Sequence, residues 1–247
     1  MKKGIKMTVL SIDLASKRYA DFGLAQLDPG SKSPSFPTPE ELGLHDPPQV
    51  AECAAAIDSY ARSKSIHVIL LDGPQGWRHP RSPIEHMRLA ERVLNTPGKT
   101  GTPGHAKPNT YLAYTTFCIE LFDALRKTYG WELIREGWEK QRKSRWLGES
   151  FPSAAWELLG LERLPSKIRR DRAALRKFTR RLAKVTGYDM PRDLTHDQIQ
   201  AAVVLPAAEA IAWRDPSRLI KVGFDPLPAP GSSVYEGWIV LPRFPAV

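Results

Sequence analysis

The run Ile66-His-Val-Ile-Leu-Leu-Asp72 is apolar apart from its histidine and stops at Gly73-Pro74. A strand with one wet face alternates apolar and polar residues. A continuously apolar strand is covered on both faces, as in a parallel sheet whose crossovers lay helices on each side. A chain holding such a strand must supply helices for two faces, which predicts an α/β layer architecture with a mixed sheet. A second apolar, β-branched run, Met7-Thr-Val-Leu-Ser-Ile-Asp13, also ends on an aspartate. The polar turn Ser16-Lys17-Arg18 and a further apolar and aromatic run over 19–27 complete a predicted β-hairpin.

Helices are expected over 49–63, over 83–94 with Pro83 in the first turn, over 111–129, from a Ser153 N-cap to residue 159, over 168–186 and over 195–214. Short strands are expected at 131–134 and 237–242, and 145–152 reads as a segment running into a turn. Residues 28–48, rich in Pro, Ser and Gly, read as a loop with room for a short edge strand, and 95–109, with three Gly and three Pro, as a mobile loop. No linker divides the 247 residues. A single domain over 1–247 with one substantial core is therefore expected, with helical insertions at about 83–129 and 153–190.

No apolar run approaches the roughly 18 residues that span a bilayer. The start Met1-Lys2-Lys3 leads into no cleavage pattern, so a cytoplasmic protein is expected. Cys53 and Cys118 are the only cysteines, which excludes a zinc site built on thiolates and points to reduced core residues. The formal net charge of +9 creates a field that attracts polyanions, nucleic acid being the commonest, although many basic proteins bind none. Nothing in the sequence sets an oligomeric state.

In open α/β sheets, ligands gather at the carboxyl ends of the strands. Asp13 and Asp72 stand there as positional twins. Hard cations such as Mg²⁺ or Mn²⁺ take oxygen ligands, and two of them about 3.5–4 Å apart clamp the attacking and leaving oxygens of a phosphodiester. Such a site needs three or four carboxylates from separated parts of the chain. The further candidates are Glu149, in Gly-Glu-Ser-Phe-Pro, and Asp197, in Thr-His-Asp-Gln-Ile-Gln-Ala-Ala at the start of a small-residue helix. Each acid has a plainer role open to it. A strand-end Asp often caps a turn, and an acid in a first helical turn is stabilised by about 0.3–1 kcal/mol through the helix dipole.

The set Val9-Leu-Ser-Ile-Asp13-Leu-Ala, Ile69-Leu-Leu-Asp72-Gly-Pro-Gln-Gly76, Arg88-Leu-Ala-Glu91-Arg92, Glu149-Ser-Phe-Pro152, His196-Asp197-Gln-Ile-Gln200-Ala-Ala and Glu236-Gly-Trp-Ile-Val-Leu-Pro242 spans nearly the whole chain. In order and spacing it resembles the uncharacterised domain family number 429, regarded as predicted RNase H-like nucleases. The resemblance implies an RNase H-like fold, a mixed five-stranded sheet with flanking helices, whose first strand, fourth strand and last catalytic helix carry the acids. It makes Asp13 the first-strand acid, Asp72 the fourth-strand acid, Glu149 the acid before the Phe-Pro turn and Asp197 the helix acid. Relatives commonly carry Asp-x-x-Asp-Ala on that helix, where this chain has Gln200. Positions three apart share a helix face, so Gln200 is expected to point at the same site, offering a carbonyl oxygen without charge. Weaker metal binding, a single ion or an inactive descendant would follow.

Ten Lys or Arg fall within 163–184, with Ile168, Leu175, Phe178, Leu182 and Val185 along one helical stripe. The stripe packs inward, and the basic face either follows a phosphate backbone or is simply solvated. Lys17, Arg88 and Arg92 are candidates to hold substrate phosphate, Arg88 and Arg92 being one helical turn apart; an Arg88–Glu91 pair is the alternative. Pro97-Gly-Lys-Thr100 is not a phosphate loop, because Val93 stands where the motif needs glycine. Among six histidines only His196, beside Asp197, is placed to assist proton transfer, a surface histidine being the alternative.

Together these readings lead to a metal-dependent nuclease or phosphodiesterase. Asp13 and Asp72 share the Mg²⁺ or Mn²⁺, Asp197 and Glu149 complete the shell, and Gln200 and His196 are accessory. One rival is a catalytically silent module binding nucleic acid or protein on the same scaffold, which binds in a salt-sensitive way and cleaves nothing. Another is an actin-like phosphotransferase, disfavoured because it needs a duplicated domain and glycine-rich phosphate turns.

Overall fold

The protein, described as a computed structural model, is placed over residues 7–141, 145–169, 171–230 and 233–243; the Met1-Lys2-Lys3 start and Arg170 of the basic stretch lie outside these. The expected hairpin forms from β1 (Thr8–Asp13) and β2 (Gly23–Leu27). Tyr19–Asp21 is a 3-10 turn, so the second strand starts later than its aromatic content suggested. Helix α1 (Val50–Ser63) leads into β3 (Ile66–Asp72), which runs parallel to β1, as the crossover requires. There follow α2 (Leu89–Leu94), a small hairpin of β4 (Lys99–Thr100) and β5 (Ala106–Lys107), α3 (Leu112–Tyr129), β6 (Glu132–Leu133), β7 (Trp146–Ser150) and α4 (Pro152–Leu158). The chain continues through α5 (Arg172–Thr186), α6 (His196–Val203), α7 (Leu205–Ala212), β8 (Leu219–Val222), β9 (Leu227–Pro228), β10 (Val234–Tyr235) and β11 (Ile239–Pro242).

The main sheet has the order β2-β1-β3-β7-β11-β8, with β6 added beside β7. β1, β3, β7 and β11 are mutually parallel, while β2 and β8 close the edges antiparallel. The result is an α/β fold with a mixed, mainly parallel sheet of seven strands where five were expected. Asp72 consequently comes from the third strand in chain order, not the fourth. Beyond β2 the hairpin is extended only by an isolated antiparallel bridge between Gln26 and Ser35.

Several boundaries moved for identifiable reasons. The helix expected over 83–94 shrinks to α2, because Arg88 is an extended N-cap whose backbone N–H is taken by Glu91. Pro152 occupies the first turn of α4, so Phe151, not Ser153, is the N-cap. The single helix expected over 195–214 divides at Val204 into α6 and α7, next to Pro206, which lacks a backbone N–H.

Two apolar clusters sandwich the sheet. Val9, Val68 and Leu70 pack with α4, α5, α6 and α7 on one face, while Leu10, Ile12, Ile69 and Leu71 pack with α1 and α3 on the other. Cys53 and Cys118 are unbridged members of the second cluster. Among the described residues no helix is long and apolar enough to cross a membrane.

Candidate acidic site at the strand ends

The register of β1 and β3 sets Asp13 directly beside Asp72. Residues two apart along a strand share a face, so Asp13 follows Val9 and Ser11, and Asp72 follows Val68 and Leu70, toward the α6 side. The two carboxyl groups interact directly, and their proximity favours a proton on one of them. Burial pushes Asp13 well above the usual carboxylate range, with the charges of Asp72 and Asp197 adding to it and Arg169 opposing. Burial also raises Asp72; its bond with Asp13 works the other way, and the nearby Glu149 charge adds to the rise. Like charges held in a partly dry site cannot both ionise without cost.

Asp197 arrives from α6. Thr195 caps that helix by accepting the Gln198 N–H at 3.2 Å, while the Gln198 side chain accepts the Thr195 N–H at 3.0 Å. α6 packs against β2 and β1, and Gly23 permits the approach: a Cβ there would lie 1.9 Å from the Asp197 backbone oxygen. Sequence reasoning passed over Gly23. Its signal was a glycine inside a strand pattern, which marks close approach of another backbone. The Asp197 carboxylate accepts from Arg169 Nη1 at 2.5 Å and pairs with His196 Nδ1 at 3.0 Å. His196 is buried instead of lying on the surface, and its Nε2 has no hydrogen-bond partner.

Four expected site residues lie elsewhere. Glu149 is in register with Leu71 on β7, one residue out of phase with Asp72, so the strand alternation turns it away from the aspartate pair. It is instead gripped by Arg88, whose Nη1 and Nη2 donate to its two oxygens at 2.7 and 2.6 Å, while the Gln75 N–H donates at 3.0 Å. Burial raises the Glu149 carboxyl and Arg88 pulls it back. The guanidinium, 1% exposed and held between Glu149 and Glu91, stays charged. Arg88 is thus a buried structural cation committed to Glu149 and Glu91. Arg92 is exposed on α2 and lines no cavity by the acids, since Arg88 precedes the helix and the one-turn spacing does not apply. The Gln200 side-chain oxygen accepts the Trp156 indole N–H at 2.8 Å, so it packs toward α4 and does not face the acids.

Lys17 falls where expected, exposed at the mouth of two adjoining cavities. One, of about 370 Å³, holds Asp13, Asp197 and Arg169; the other, of about 430 Å³, holds Asp72. Arg169 also walls a third cavity of about 490 Å³ with Arg172, Arg176 and Arg192.

Among the described residues no group of three or more His, Cys, Asp or Glu side chains forms a ready cage for a metal ion. With Asp197 tied to Arg169 and His196, the structure assembles two carboxylates, not the expected three or four. Two are compatible with a hard cation of the Mg²⁺ type, which commonly uses one or two protein carboxylates and completes its shell with water and substrate phosphate. Compared with known proteins, the chain matches no family model, no curated protein and no solved structure.

Proposed function

We propose that the protein is a divalent-cation-dependent phosphodiesterase acting on nucleic acid, built on an RNase H-like scaffold. The observation that carries this reading is the Asp13–Asp72 pair in register at the carboxyl ends of neighbouring parallel strands, both acids raised in pKa by burial and by nearby negative charge. Such a pair is an excess of negative charge awaiting a cation. The order of a hairpin, a parallel strand bearing the second acid and a late helix bringing a third acid toward the first agrees with the RNase H-like plan. A bound Mg²⁺ or Mn²⁺ would polarise the phosphodiester and lower the pKa of water.

The chain's own residues supply the rest. Asp13 and Asp72 would hold the cation, which would supply the positive charge that a phosphate needs beside them. Lys17, at the cleft mouth, neutralises a phosphate oxygen. Arg169, Arg172, Arg176 and Arg192 form a basic hollow contiguous with the acids through Arg169, suited to a phosphate backbone. Arg192 and Arg172 have no carboxylate partner among the described residues, whereas Arg176 pairs with Asp193 at 2.7 Å.

Asp13→Asn tests the reading. Cleavage of labelled oligonucleotides in Mg²⁺ or Mn²⁺ should be lost, and calorimetric Mn²⁺ binding should weaken at least tenfold, with the circular dichroism spectrum unchanged. Undiminished cleavage in Asp13→Asn overturns it. A second reading, a silent nucleic-acid-binding module, is favoured by one observation: the third acid is occupied by Arg169. It requires salt-sensitive binding of oligonucleotides by the wild type and no cleavage in any divalent cation.

A further inference from the structure

Helix α5 carries six Lys or Arg and no acid between Arg172 and Thr186. Leu175, Phe178, Thr179 and Leu182 form its buried face, and Phe178 meets the Trp156 ring edge-on with centroids 5.7 Å apart. The charge therefore lies on the faces turned to solvent. Arg172, Arg176, Arg180 and Lys184 follow one another four residues apart, and on a helix surface such a row forms a ridge. Each step rises about 6 Å along the axis.

A helix face that is merely solvated gains from mixed signs, because opposite charges four residues apart stabilise a helix and like charges destabilise it. Here three successive pairs are like-charged. Arg172 also stands in the first turn, where the helix dipole disfavours a cation. The N-cap Asp171 is occupied there with the Ala174 N–H at 3.0 Å. Neighbouring acids relieve the row only once: Arg176 pairs with Asp193 at 2.7 Å, while Arg172, Arg180 and Lys184 have no carboxylate partner among the described residues. A row of cations held against the preference of its own helix calls for an external anion that repeats along it.

The start of the ridge opens on the acids. Arg172 and Arg176 wall the hollow of about 490 Å³ together with Arg169, which bonds Asp197 in the cleft of Asp13. An anionic polymer lying along the ridge therefore reaches the place where a phosphate would be handled. A lipid surface fits less well, since interfacial helices also press apolar side chains into the membrane. The exposed large apolar residues, Val93, Leu158, Trp213, Phe224 and Leu227, all lie off α5. Nor does α5 expose an aromatic ring on which a base could stack, so the ridge offers contacts to a backbone and not to bases.

We propose that the α5 ridge is a track for a polynucleotide backbone, which grips successive phosphates without regard to sequence and leads the strand to Asp13 and Asp72. The assignment rests on the phosphodiesterase reading and sharpens its substrate. That substrate is a polymer extending over several nucleotides to one side of the acids, not a single nucleotide or a small phosphate ester.

Fluorescence anisotropy with labelled oligonucleotides in EDTA tests it on the full chain, where no cleavage intervenes. A twelve-nucleotide strand should bind at least tenfold more tightly than a dinucleotide, and strands of different sequence should agree within a few-fold. Arg172→Ala and Arg180→Ala introduce the best helix former. Each should weaken the strand several-fold and reduce the salt slope by about one, and the double variant should weaken it at least tenfold. Melting temperatures of these variants at low salt should stay level or rise, the opposite of arginines kept for stability. Lys64→Ala, exposed at the end of α1 on the other face of the sheet, should bind as the wild type does. A double variant with wild-type affinity and salt slope overturns the track, as does a dinucleotide that binds as tightly as the longer strand. Phosphatidylserine vesicles bound more tightly than the oligonucleotide, and released by the double variant, would assign the ridge to a membrane and overturn it as well. The two proposals fail separately. Unchanged strand binding in the double variant with intact Asp13-dependent Mn²⁺ binding removes only the track, whereas ridge-dependent strand binding without Mn²⁺ binding removes only the cation-dependent chemistry.

Discussion

Glu149→Gln separates a structural acid from a catalytic one. In the wild type Glu149 and Glu91 flank the buried Arg88, so the triad carries one net negative charge. A glutamine can keep its carbonyl oxygen where Oε2 accepts from Arg88 Nη1 and the Gln75 N–H. Its amide then faces Arg88 Nη2 donor to donor, and the 2.6 Å bond is lost. A hydrogen bond to a charged group contributes about 1.5–3 kcal/mol, and breaking a buried ion pair outright costs about 3–5 kcal/mol. Because Glu91 still neutralises Arg88, the smaller figure governs, and the expected loss is about 2–3 kcal/mol. For a chain of this size each kcal/mol moves the melting temperature by about 2–4 °C, so a fall of about 4–12 °C is expected. Arg88→Met must be worse, since it strands two buried carboxylates. The double variant Arg88→Met/Glu149→Gln should lose less than the sum of the two. Urea unfolding followed by circular dichroism measures all three, with Mn²⁺ affinity as the parallel readout. The reasoning fails if Glu149→Gln is within 0.5 kcal/mol of wild type in stability yet loses Mn²⁺, roughly the resolution of such comparisons.

The raised Asp13–Asp72 pair makes the folded protein hold protons that the unfolded chain releases, so without a cation this pair's contribution to stability falls as pH rises from the ordinary aspartate value of 3.8 through the raised ones. Each unit of elevation is worth about 1.4 kcal/mol. Melting temperatures between pH 5 and 8 should therefore decline less steeply in Asp13→Asn than in wild type, and parallel profiles contradict the pairing. Gly23→Ala drives a Cβ into the Asp197 backbone; with no flexible side chain to yield, a cost of about 3 kcal/mol is expected, at the upper end for overpacking. A variant as stable as wild type by calorimetry would mean α6 sits elsewhere. Arg169→Gln releases Asp197 and removes a positive charge from the cleft, so it should tighten Mn²⁺ binding several-fold and weaken oligonucleotide binding; looser Mn²⁺ binding would refute the assignment of Arg169 as a competitor of the cation.

The part of the site that was legible was the part written in strand periodicity. Asp13 and Asp72 each follow an apolar run, and that pattern alone placed them at the ends of buried strands. β7 was harder to read, because Trp-Leu-Gly-Glu-Ser is neither β-branched nor alternating, and its stability comes from pairing with β3, β6 and β11. Once β7 is a strand, parity decides that Glu149 and Asp72 face opposite ways, which no inspection of Gly-Glu-Ser-Phe-Pro supplies. Arg88 as a phosphate ligand was misplaced because a side chain at an N-cap does not follow helical spacing, whereas the alternative Arg88–Glu91 pair does form. The Arg169–Asp197 bond was illegible in principle, since it joins residues 28 apart in sequence, with helix α5 between them.

The charge balance of the site follows from these pairings and moves its limiting residue. Gln200 had suggested a deficit of one negative charge, but its side chain serves Trp156 and contributes nothing to the cleft. Burial and mutual repulsion make Asp13 and Asp72 hold a proton more readily than ordinary carboxylates, while the charge of Asp197 is answered by Arg169. Placing a divalent cation between Asp13 and Asp72 means expelling that proton, so cation affinity must rise with pH. Bringing Asp197 in as a third ligand means parting it from Arg169, which also walls the hollow where Arg172, Arg176 and Arg192 converge. A phosphate chain entering that hollow offers Arg169 a replacement anion and lowers the cost of releasing Asp197. Cation and polyanion should therefore bind with positive coupling, each making room for the other through one arginine.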